Sequence, residues 1–512
     1  MKGLVTINRT YLGVELGSTR IKAVTLDGTF NPVSSSSYSW VSNYVDGVWT
    51  YSMDEVWKGL KTALAGVENR DMLSAAGISG MMHGYLVFDK DWNLLVPFRT
   101  WQNTITGPAA EKLTELFGFN IPQRWSIAHL YQAILNGEEH VDKIAHINTL
   151  AGYVHYMLTG ENVLGIGDAS GMFPVDSETL DYDVAMAEKF DTLIADKPFT
   201  IREILPRVLS AGEPAGRLTE KGATLIDYLL PVGLPFAPAE GDMGTGMTAT
   251  NAVAPRTGNI SAGTSINAMI VLDKPLKELH PEIDIVSTPA GRDVAMVHCN
   301  NCTNDMNAWV SLFSEAVELF GGNVSGDELF GRLYRKSLEG ESDCGGVLVY
   351  NYLAGEGITH QNEGRPMVIR RPDSKFTLAN FLRAQLYSTM ATLKIGMEIL
   401  VGDNVKIDSL TGHGGLFKTP QVGQRYMAAA CNVPIVCMDT AGEGGPYGMA
   451  LLAAYTDYKD DISLEVFLSE KVFKDVKISI MFPDAENVEG FTRFIKKYKC
   501  ALPVEQIATK LL

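Results

Sequence analysis

Apolar and polar residues alternate along the chain in a pattern that predicts strands and helices in turn. Residues 11–40 hold three apolar runs separated by short polar turns, which predicts a three-stranded meander. Apolar residues recur at helical spacing in 53–67, and 73–89 has the pattern of strand, loop and strand. Helical patterns follow around 108–117 and 140–158.

The second half of the chain continues the alternation. Residues 233–247 predict a strand that enters a glycine-rich loop, and 376–401 predict a long helix. Residues 409–420 predict a strand and a glycine loop before another helix, and 442–455 predict a glycine loop that opens an apolar helix. Strands that alternate with helices in this way are typical of the α/β class.

One pattern occurs twice, about half a chain apart. "LGSTRIKAVTLD" (16–27) and "AGTSINAMIVLD" (262–273) have equal length, and both lead through an apolar run to Leu-Asp. The shared turn residues are Gly17, Ser18 and Thr19 in the first copy and Gly263, Thr264 and Ser265 in the second. Either turn alone is an ordinary hairpin turn. Two copies indicate a duplicated domain whose turns face each other across a cleft and bind a polyphosphate through backbone N–H groups.

Composition narrows the class of protein. A chain of 512 residues, with 46% hydrophobic and 20% charged residues, predicts a folded protein of two or more domains. A formal net charge of −17 disfavours nucleic acid and anionic membranes as partners. "MKGLVTINRT" lacks the apolar run of a secretory signal, so we expect a cytoplasmic protein. Cys299 and Cys302 form a lone C-x-x-C, which favours buried thiols over a zinc site.

Eight short segments in order resemble the FGGY family of carbohydrate kinases. They are "GVELGSTRIKA", "GISGMMHG" with "PFRTWQN", "MLTGENVLGIGDASGMF", "EGDMGTG", "ISAGTS", "LAGEGITH", "TGHGG" and "GEGGPYGMALLAA". The resemblance implies an α/β protein with the duplicated actin-like (ribonuclease H-like) ATPase fold, two lobes around a central cleft. It implies an N-terminal sugar-kinase lobe at 1–250, a nucleotide-binding lobe at 251–455 and an α/β appendage at 456–512.

The resemblance also assigns expected roles, with ATP and Mg²⁺ as cofactors. Asp242 would be the catalytic base, and Glu15 with Asp242 would hold the metal. The residues expected to contact nucleotide are Gly17, Ser18, Thr19, Lys22, Gly263, Thr264, Ser265, Gly414, Gly415 and Gly444, the last in the loop 443–448. The residues expected to contact sugar are Met82, His83, Trp101, Asn103, Asp242 and Met243.

The chain departs from the family pattern at four points. Glu15 stands where the family usually has Asp, and "LAGEGITH" lacks the usual arginine. Met243 and Asn103 stand where xylulokinase-like members usually carry Asn and Asp. Because both of these lie on the expected sugar side, we predict a preference other than that of a standard xylulokinase.

Three hypotheses follow. The first is an ATP-dependent kinase of a ketose, such as a pentulose, or of a related polyol. The second is a catalytically silent sugar- or nucleotide-binding sensor, suggested by Glu15 and Met243. The third is an actin-like or chaperone ATPase, against which the Met-His loop and "TGENVLGIGDASG" argue. The expected partners are a small sugar and ATP, with no nucleic acid or membrane; a homodimer is left open.

Overall fold

The computed structural model describes residues 9–438 and 444–511, which form two compact units. The first unit comprises Met1–Ala254, Asp284–Val294 and Glu443–Asp475; the second comprises Pro255–Ile283, Ala295–Gly442 and Val476–Leu512. The segment 456–512 is thus divided between the two units. The three-part domain division remains a prediction.

A five-stranded sheet forms the centre of the first unit, in the order β13-β6-β1-β2-β3. The strands β1, β2 and β3 form an antiparallel meander, while β6 runs parallel to both β1 and β13. The strands of this unit before residue 255 are β1 (Thr10–Leu16), β2 (Arg20–Leu26), β3 (Pro32–Ser39), β4 (Asn43–Val45), β5 (Val48–Thr50), β6 (Leu73–Gly80), β7 (Leu86–Phe88), β8 (His146–Asn148), β9 (Val163–Gly165), β10 (Val175–Asp176), β11 (Asp181–Tyr182), β12 (Arg207–Leu209) and β13 (Glu240–Gly241). A further strand of the unit is β16 (Asp284–Ser287).

Helices pack against this sheet and against one another. Those before residue 255 are α1 (Met53–Ala65), α2 (Gly107–Phe117), α3 (Ser126–Leu135), α4 (Leu150–Thr159), α5 (Ile166–Ala169), α6 (Val184–Leu193), α7 (Ile201–Ile204), α8 (Glu220–Leu225) and α9 (Asp242–Ala249). Two later helices, α14 (Gly444–Tyr455) and α15 (Leu464–Phe467), belong to the same unit.

Close packing of α14 against β1 and α9 fixes the middle of this unit. A Cβ added at Gly13 would lie 2.0 Å from the carbonyl oxygen of Pro446, and one at Gly448 would lie 1.9 Å from that of Thr245. Glycine is therefore required at both positions, because only a residue without a Cβ lets the backbones approach this closely.

Six strands of a seven-stranded sheet lie wholly or mostly in the second unit, in the order β17-β15-β14-β20-β21-β22. The strands of the second unit are β14 (Thr257–Ala262), β15 (Ile266–Val271), β17 (Asp293–Cys299), β18 (Val347–Tyr350), β19 (Met367–Arg370), β20 (Ser409–His413), β21 (Ile435–Met438) and β22 (Ile478–Met481). Of these, β18 and β19 form a separate antiparallel pair. The helices of this unit are α10 (Asn304–Leu319), α11 (Gly326–Ser337), α12 (Leu378–Gly402), α13 (Val422–Cys431) and α16 (Ala485–Leu511).

The structure confirms the predicted meander, both hairpins and the long helix, now α12, but corrects two segments. Residues 140–158 are not one helix, since β8 precedes α4, which begins after the capping residue Thr149. The stretch 233–247 contains only the two-residue β13, and the predicted glycine-rich loop is the start of α9. The glycines of this stretch fit a helix because neither Gly244 nor Gly246 has a positive φ; a Cβ at Gly246 would meet no atom within 4 Å.

The helix α3 was not predicted at all. Eight of its residues, Ser126 to Ala133, are buried in succession, so the sequence has no charged, solvent-facing stripe that would mark a helix.

Candidate active site

Aromatic side chains hold the first turn, between β1 and β2, in place. The indole of Trp40 donates to the carbonyl oxygen of Gly17 over 2.7 Å. The hydroxyl of Tyr51 donates to the carbonyl of Ser18 over 2.6 Å, and the indole of Trp101 donates to Oγ of Ser18 over 3.1 Å. Trp101, predicted as a sugar residue, therefore also links its loop to the predicted phosphate turn.

Glu15 lies opposite Lys22 in the β1–β2 pair, on the strand that leads into this turn. Burial and, to a smaller extent, the charge of Asp242 together raise the pKa of Glu15 to about 7, against the opposing charge of Lys22. A Cβ added at Gly445 would lie 2.4 Å from Oε1 of Glu15, so the start of α14 approaches the carboxylate closely. Gly444, one residue earlier, has a φ of 69°.

Asp242 is the first residue of α9 and lies directly after β13. Burial raises its pKa to about 6, while the backbone N–H groups of Met82, Met243 and Asp242 itself donate to the carboxylate and oppose this shift. The structure therefore brings the predicted base together with Glu15 and with the predicted Met-His loop. Met243 is partly exposed at the second position of the helix.

His83 has a φ of 67°, which is uncommon for a residue with a side chain, and its ring is buried. Its Nδ1 lies 3.0 Å from the carbonyl oxygen of Gly171, and because a carbonyl can only accept, Nδ1 donates. In the neutral ring Nε2 is then an acceptor. The ring stacks on Trp125, with centroids 6.1 Å apart at 17°.

Asn103 is buried, and backbone groups engage its amide. Its Oδ1 accepts from the N–H of Trp49 over 2.8 Å, and its Nδ2 donates to the carbonyls of Trp49 and Thr100, each over 2.9 Å. These bonds join β5 to the loop that carries Trp101. The direct role of Asn103 toward sugar remains a prediction.

Two further buried acids, Asp168 and Glu240, lie near this region. The sequence did not single them out as site residues, although both lie in segments that resemble the family. Burial raises the pKa of Glu240 to about 7. Burial also raises the pKa of Asp168 well above its usual range; its Oδ2 accepts from Oγ1 of Thr149 over 2.7 Å. The available signal was that Asp168 closely follows β9 and that Glu240 lies in the short β13, just before Asp242, since functional groups cluster where strands end.

The second turn, between β14 and β15, resembles the first in how it closes. Gly17 N donates to a carbonyl three residues ahead, that of Arg20, over 3.0 Å. Gly263 N donates to a carbonyl two residues ahead, that of Ser265, over 2.9 Å. The second turn is therefore one residue shorter, and the strand register places Asn267, rather than a lysine, at the position that corresponds to Lys22.

The glycine loop after β20 lies beside the second turn. Gly414 has a φ of 99°, and a Cβ there would lie 2.4 Å from the carbonyl oxygen of Ala262. A Cβ at Gly263 or Gly415 would meet no atom within 4 Å. Thus Gly414 and Gly415 are close to the second turn, whereas Gly444 belongs to the first unit; Glu443 of the predicted loop 443–448 lies outside the described residues.

Comparison with known proteins decides the family. The N-terminal domain model of the FGGY family of carbohydrate kinases matches residues 10–247, and the C-terminal domain model of that family matches residues 258–456. The chain belongs to the FGGY family of carbohydrate kinases. Members of this family use ATP and transfer a phosphoryl group to a sugar hydroxyl, so the protein is a phosphotransferase.

Relatives and solved structures extend along nearly the whole kinase. A xylulose kinase of Haemophilus influenzae is 22% identical, over 95% of this chain and 98% of that protein. The gluconate kinase structure from Lactobacillus acidophilus has a TM-score of 0.79 at 15% identity, covering 96% of this chain and 97% of the other. The Plasmodium falciparum glycerol kinase structure with ADP has a TM-score of 0.76 at 14% identity, covering 97% and 98%.

These structures confirm the predicted fold class, a mixed α/β kinase fold consistent with the duplicated actin-like ATPase fold. Their names differ in substrate, so the fold of this kinase does not identify its sugar. Among the helices in residues 9–438 and 444–511, none has the length and apolar character to cross a membrane.

Proposed function

We propose that this kinase transfers the γ-phosphoryl group of ATP directly to a hydroxyl of a small ketose, such as a pentulose, or of a related polyol. The observation that carries the proposal is the carboxylate of Asp242, which accepts from the backbone of Met82 beside His83. A base next to a loop with a buried imidazole suits a ligand that is rich in hydroxyl groups. ATP is a cytoplasmic phosphoryl donor, so we expect the reaction there.

Asp242 acts as the general base in this proposal. The acceptor hydroxyl loses its proton as its oxygen attacks phosphorus, and the carboxylate takes that proton. Burial keeps the pKa of Asp242 near 6, which leaves the carboxylate ionised at neutral pH yet more basic than an exposed aspartate. His83, held by Gly171, is proposed to help orient the sugar.

Glu15 and Asp242 would hold Mg²⁺. Each charge raises the cost of ionising near the other, and a divalent cation that accepts oxygen ligands relieves this repulsion. In the described residues no group of three or more His, Cys, Asp or Glu forms a metal cage. Two carboxylates with water and phosphate fit Mg²⁺, which usually keeps several waters. The bound ion would neutralise charge on the transferring phosphoryl group.

The nucleotide is proposed to meet the glycine-containing turns. Thr19 and Thr264 are exposed at the tips of the two turns, where backbone N–H groups and hydroxyls suit phosphate oxygens. Lys22 adds a positive charge on the first unit, and Gly414, Gly415 and Gly444 leave backbone accessible for the nucleoside. The same contact with phosphate is proposed for the other turn residues, Gly17, Ser18, Gly263 and Ser265.

The sugar itself is proposed to differ from the usual xylulokinase substrate. Met243 brings a thioether where those enzymes carry an amide, and the amide of Asn103 is engaged by backbone. A site that lacks a partner for one hydroxyl loses discrimination for it, by up to about 10⁴–10⁵. The preferred sugar is therefore expected to lack, or to present differently, the hydroxyl that those two positions bind.

ADP release across a panel of ketoses, aldonates and polyols tests the proposal. We expect turnover that depends on one group of sugars, with xylulose below the best substrate in kcat/KM. Xylulose as the best substrate would contradict the inference from Met243 and Asn103. ADP release that ignores every sugar would contradict a sugar kinase.

A sensor is the second candidate, favoured by the longer acid Glu15 and by Met243. One added methylene moves a carboxylate by about 1.5 Å, which matters for an octahedral ion unless water absorbs the change. Sugar binding by calorimetry without any turnover would support the sensor. Glu15→Asp would then be expected to restore phosphoryl transfer.

A further inference from the structure

The carboxylate of Glu240 joins two segments of the candidate site. It is 1% exposed and is the first residue of β13. Its Oε1 accepts from the N–H of Gly167 over 2.9 Å, and its Oε2 accepts from the N–H of Asp168 over 2.8 Å and from that of Gly241 over 3.1 Å. Three backbone donors, two on the β9–α5 segment and one on the β13–α9 segment, thus depend on one side chain.

The fit around this carboxylate is tight. A Cβ added at Gly167 would lie 2.6 Å from Oε1 and 2.7 Å from Oε2 of Glu240, and one at Gly165 would lie 2.8 Å from Oε1. Real Cβ atoms do not approach oxygen this closely. Glycine at these positions therefore lets the carboxylate reach the backbone, and a larger residue would displace it.

Each joined segment leads to a proposed functional residue. Gly241 immediately precedes Asp242. On the other side, Asp168 is followed by Gly171, whose N–H donates to the carbonyl of Asp168 over 3.0 Å and whose own carbonyl accepts from Nδ1 of His83. Glu240 is therefore the point at which the base and the buried histidine are tied together through backbone.

We propose that Glu240 is a positioning residue that sets the orientation of Asp242 and of His83 together. The inference rests on the proposed function, in which those two residues contact the sugar. Glu240 itself does not touch the sugar; it acts through the N–H groups of Gly167, Asp168 and Gly241. Loss of these hydrogen bonds would let the two segments shift apart, which would weaken sugar binding and slow phosphoryl transfer.

Glu240→Gln tests this with almost no change in volume. Glutamine offers one oxygen acceptor, and its NH₂ group faces backbone N–H donors that it cannot satisfy. We expect kcat/KM for the sugar to fall about 100-fold, the loss that misplacing a reacting group by about 1 Å can cause. The KM for sugar should rise and kcat should fall, while the KM for ATP should stay near that of the wild type.

Gly167→Ala is the second variant. It leaves Glu240 in the chain but its added methyl group pushes the Glu240 carboxylate out of position. If position matters, this variant shows the same change in sugar kinetics as Glu240→Gln. Gly107→Ala is the matched glycine control in the same unit, since the nearest atom to an added Cβ there is 3.7 Å away. Glu505→Gln is the matched acid control: Glu505 is 0% exposed and accepts from the N–H of Arg365 over 2.5 Å.

Glu505→Gln should lower the melting temperature and leave the kinetics of the folded fraction unchanged. If Glu240→Gln behaves like Glu505→Gln, with kcat and both KM values intact, the positioning role is overturned and the acid is only structural. A wild-type protein without sugar turnover would refute the proposed function instead. In that case sugar binding by calorimetry decides: weaker binding in Glu240→Gln and Gly167→Ala supports positioning, and unchanged or absent binding overturns it.

Discussion

At the residue scale, burial raises the pKa of three acids in the first unit. The pKa of Glu15 and that of Glu240 are raised to about 7, and the pKa of Asp242 to about 6. A raised pKa makes a carboxylate a better proton acceptor, provided that it is ionised at the working pH. Among these three acids, Asp242 both has a raised pKa and contacts the Met-His loop through the backbone of Met82.

Asp242→Asn should lower kcat by about 10²–10⁴, the usual contribution of a general base. The amide keeps the shape of the side chain and can still bond to a hydroxyl, so sugar binding should change much less. Steady-state kinetics and the melting temperature of one preparation measure both effects. Asp183→Asn is the control, because Asp183 caps α6 through the N–H of Met186 and should affect only stability. A kcat above about a tenth of wild type would place the base elsewhere.

His129 should make the first unit sensitive to acid. It is fully buried, and burial, with the charge of Arg99, lowers its pKa from 6.5 to about 3. Below pH 6.5 the histidine is protonated in the unfolded chain but stays neutral in the folded chain. The free energy of unfolding therefore decreases as the pH falls below 6.5. At pH 5 the loss, relative to pH 7, is about 2 kcal/mol.

His129→Phe should remove this part of the pH dependence. Chemical denaturation of mutant and wild type at pH 7 and pH 5 measures the difference, in which the opposite effect of the buried acids cancels. His360→Gln is the control, since the side chain of His360 is 73% exposed. Equal slopes for His129→Phe and wild type would show that His129 is charged in the folded protein.

At the element scale, the first turn depends on side chains from three different segments. Trp40 follows β3, Tyr51 follows β5, and Trp101 lies in a loop before α2; all three donate to the turn. The rings of Trp40 and Tyr51 also stack, with centroids 4.3 Å apart. The exposed tip of the turn is thus presented on a fixed support, as close contact with phosphate requires.

Trp101→Phe should loosen this support by removing the donor to Oγ of Ser18. One hydrogen bond contributes about 1 kcal/mol to stability. We also expect a several-fold rise in the KM for both ATP and sugar, because the indole connects the two loops. Trp57→Phe, on α1 against Tyr153, is the matched control and should leave both KM values unchanged. A rise in the KM for sugar alone would argue against a role of the turn in nucleotide binding.

At the scale of the whole molecule, the formal charge of −17 opposes a polyanionic nucleotide. Binding of ATP therefore needs local positive charge, and the metal ion is the main source that we propose. Chelation with EDTA should abolish ADP release, because the charge on the transferring phosphoryl group is then not neutralised. Sugar binding, measured by calorimetry, should persist. Added Mg²⁺ should restore turnover, and turnover that continues in EDTA would contradict the metal site.

Local pattern was enough to predict much of the fold from the sequence. The meander 11–40, the hairpin 258–273 and α12 all follow from short periodic patterns. Glu15, the first turn and Asp242 were also proposed as site residues from sequence, because the motifs that resemble the family are local and occur in a fixed order; their roles remain predictions. Neighbouring residues alone determine such features, so no tertiary information is needed.

Only the tertiary structure decided the features that depend on distant residues. The helix α3 carries no charged face because eight of its residues are buried in succession, and α14 needs glycine at position 448 because the backbone of Thr245 in α9 lies against it. The amide of Asn103 is engaged by β5, and Glu240 reaches the backbone of α5, 73 residues away from Gly167. Such contacts arise when the sheet brings strand ends together, which the spacing of residues along the chain does not record.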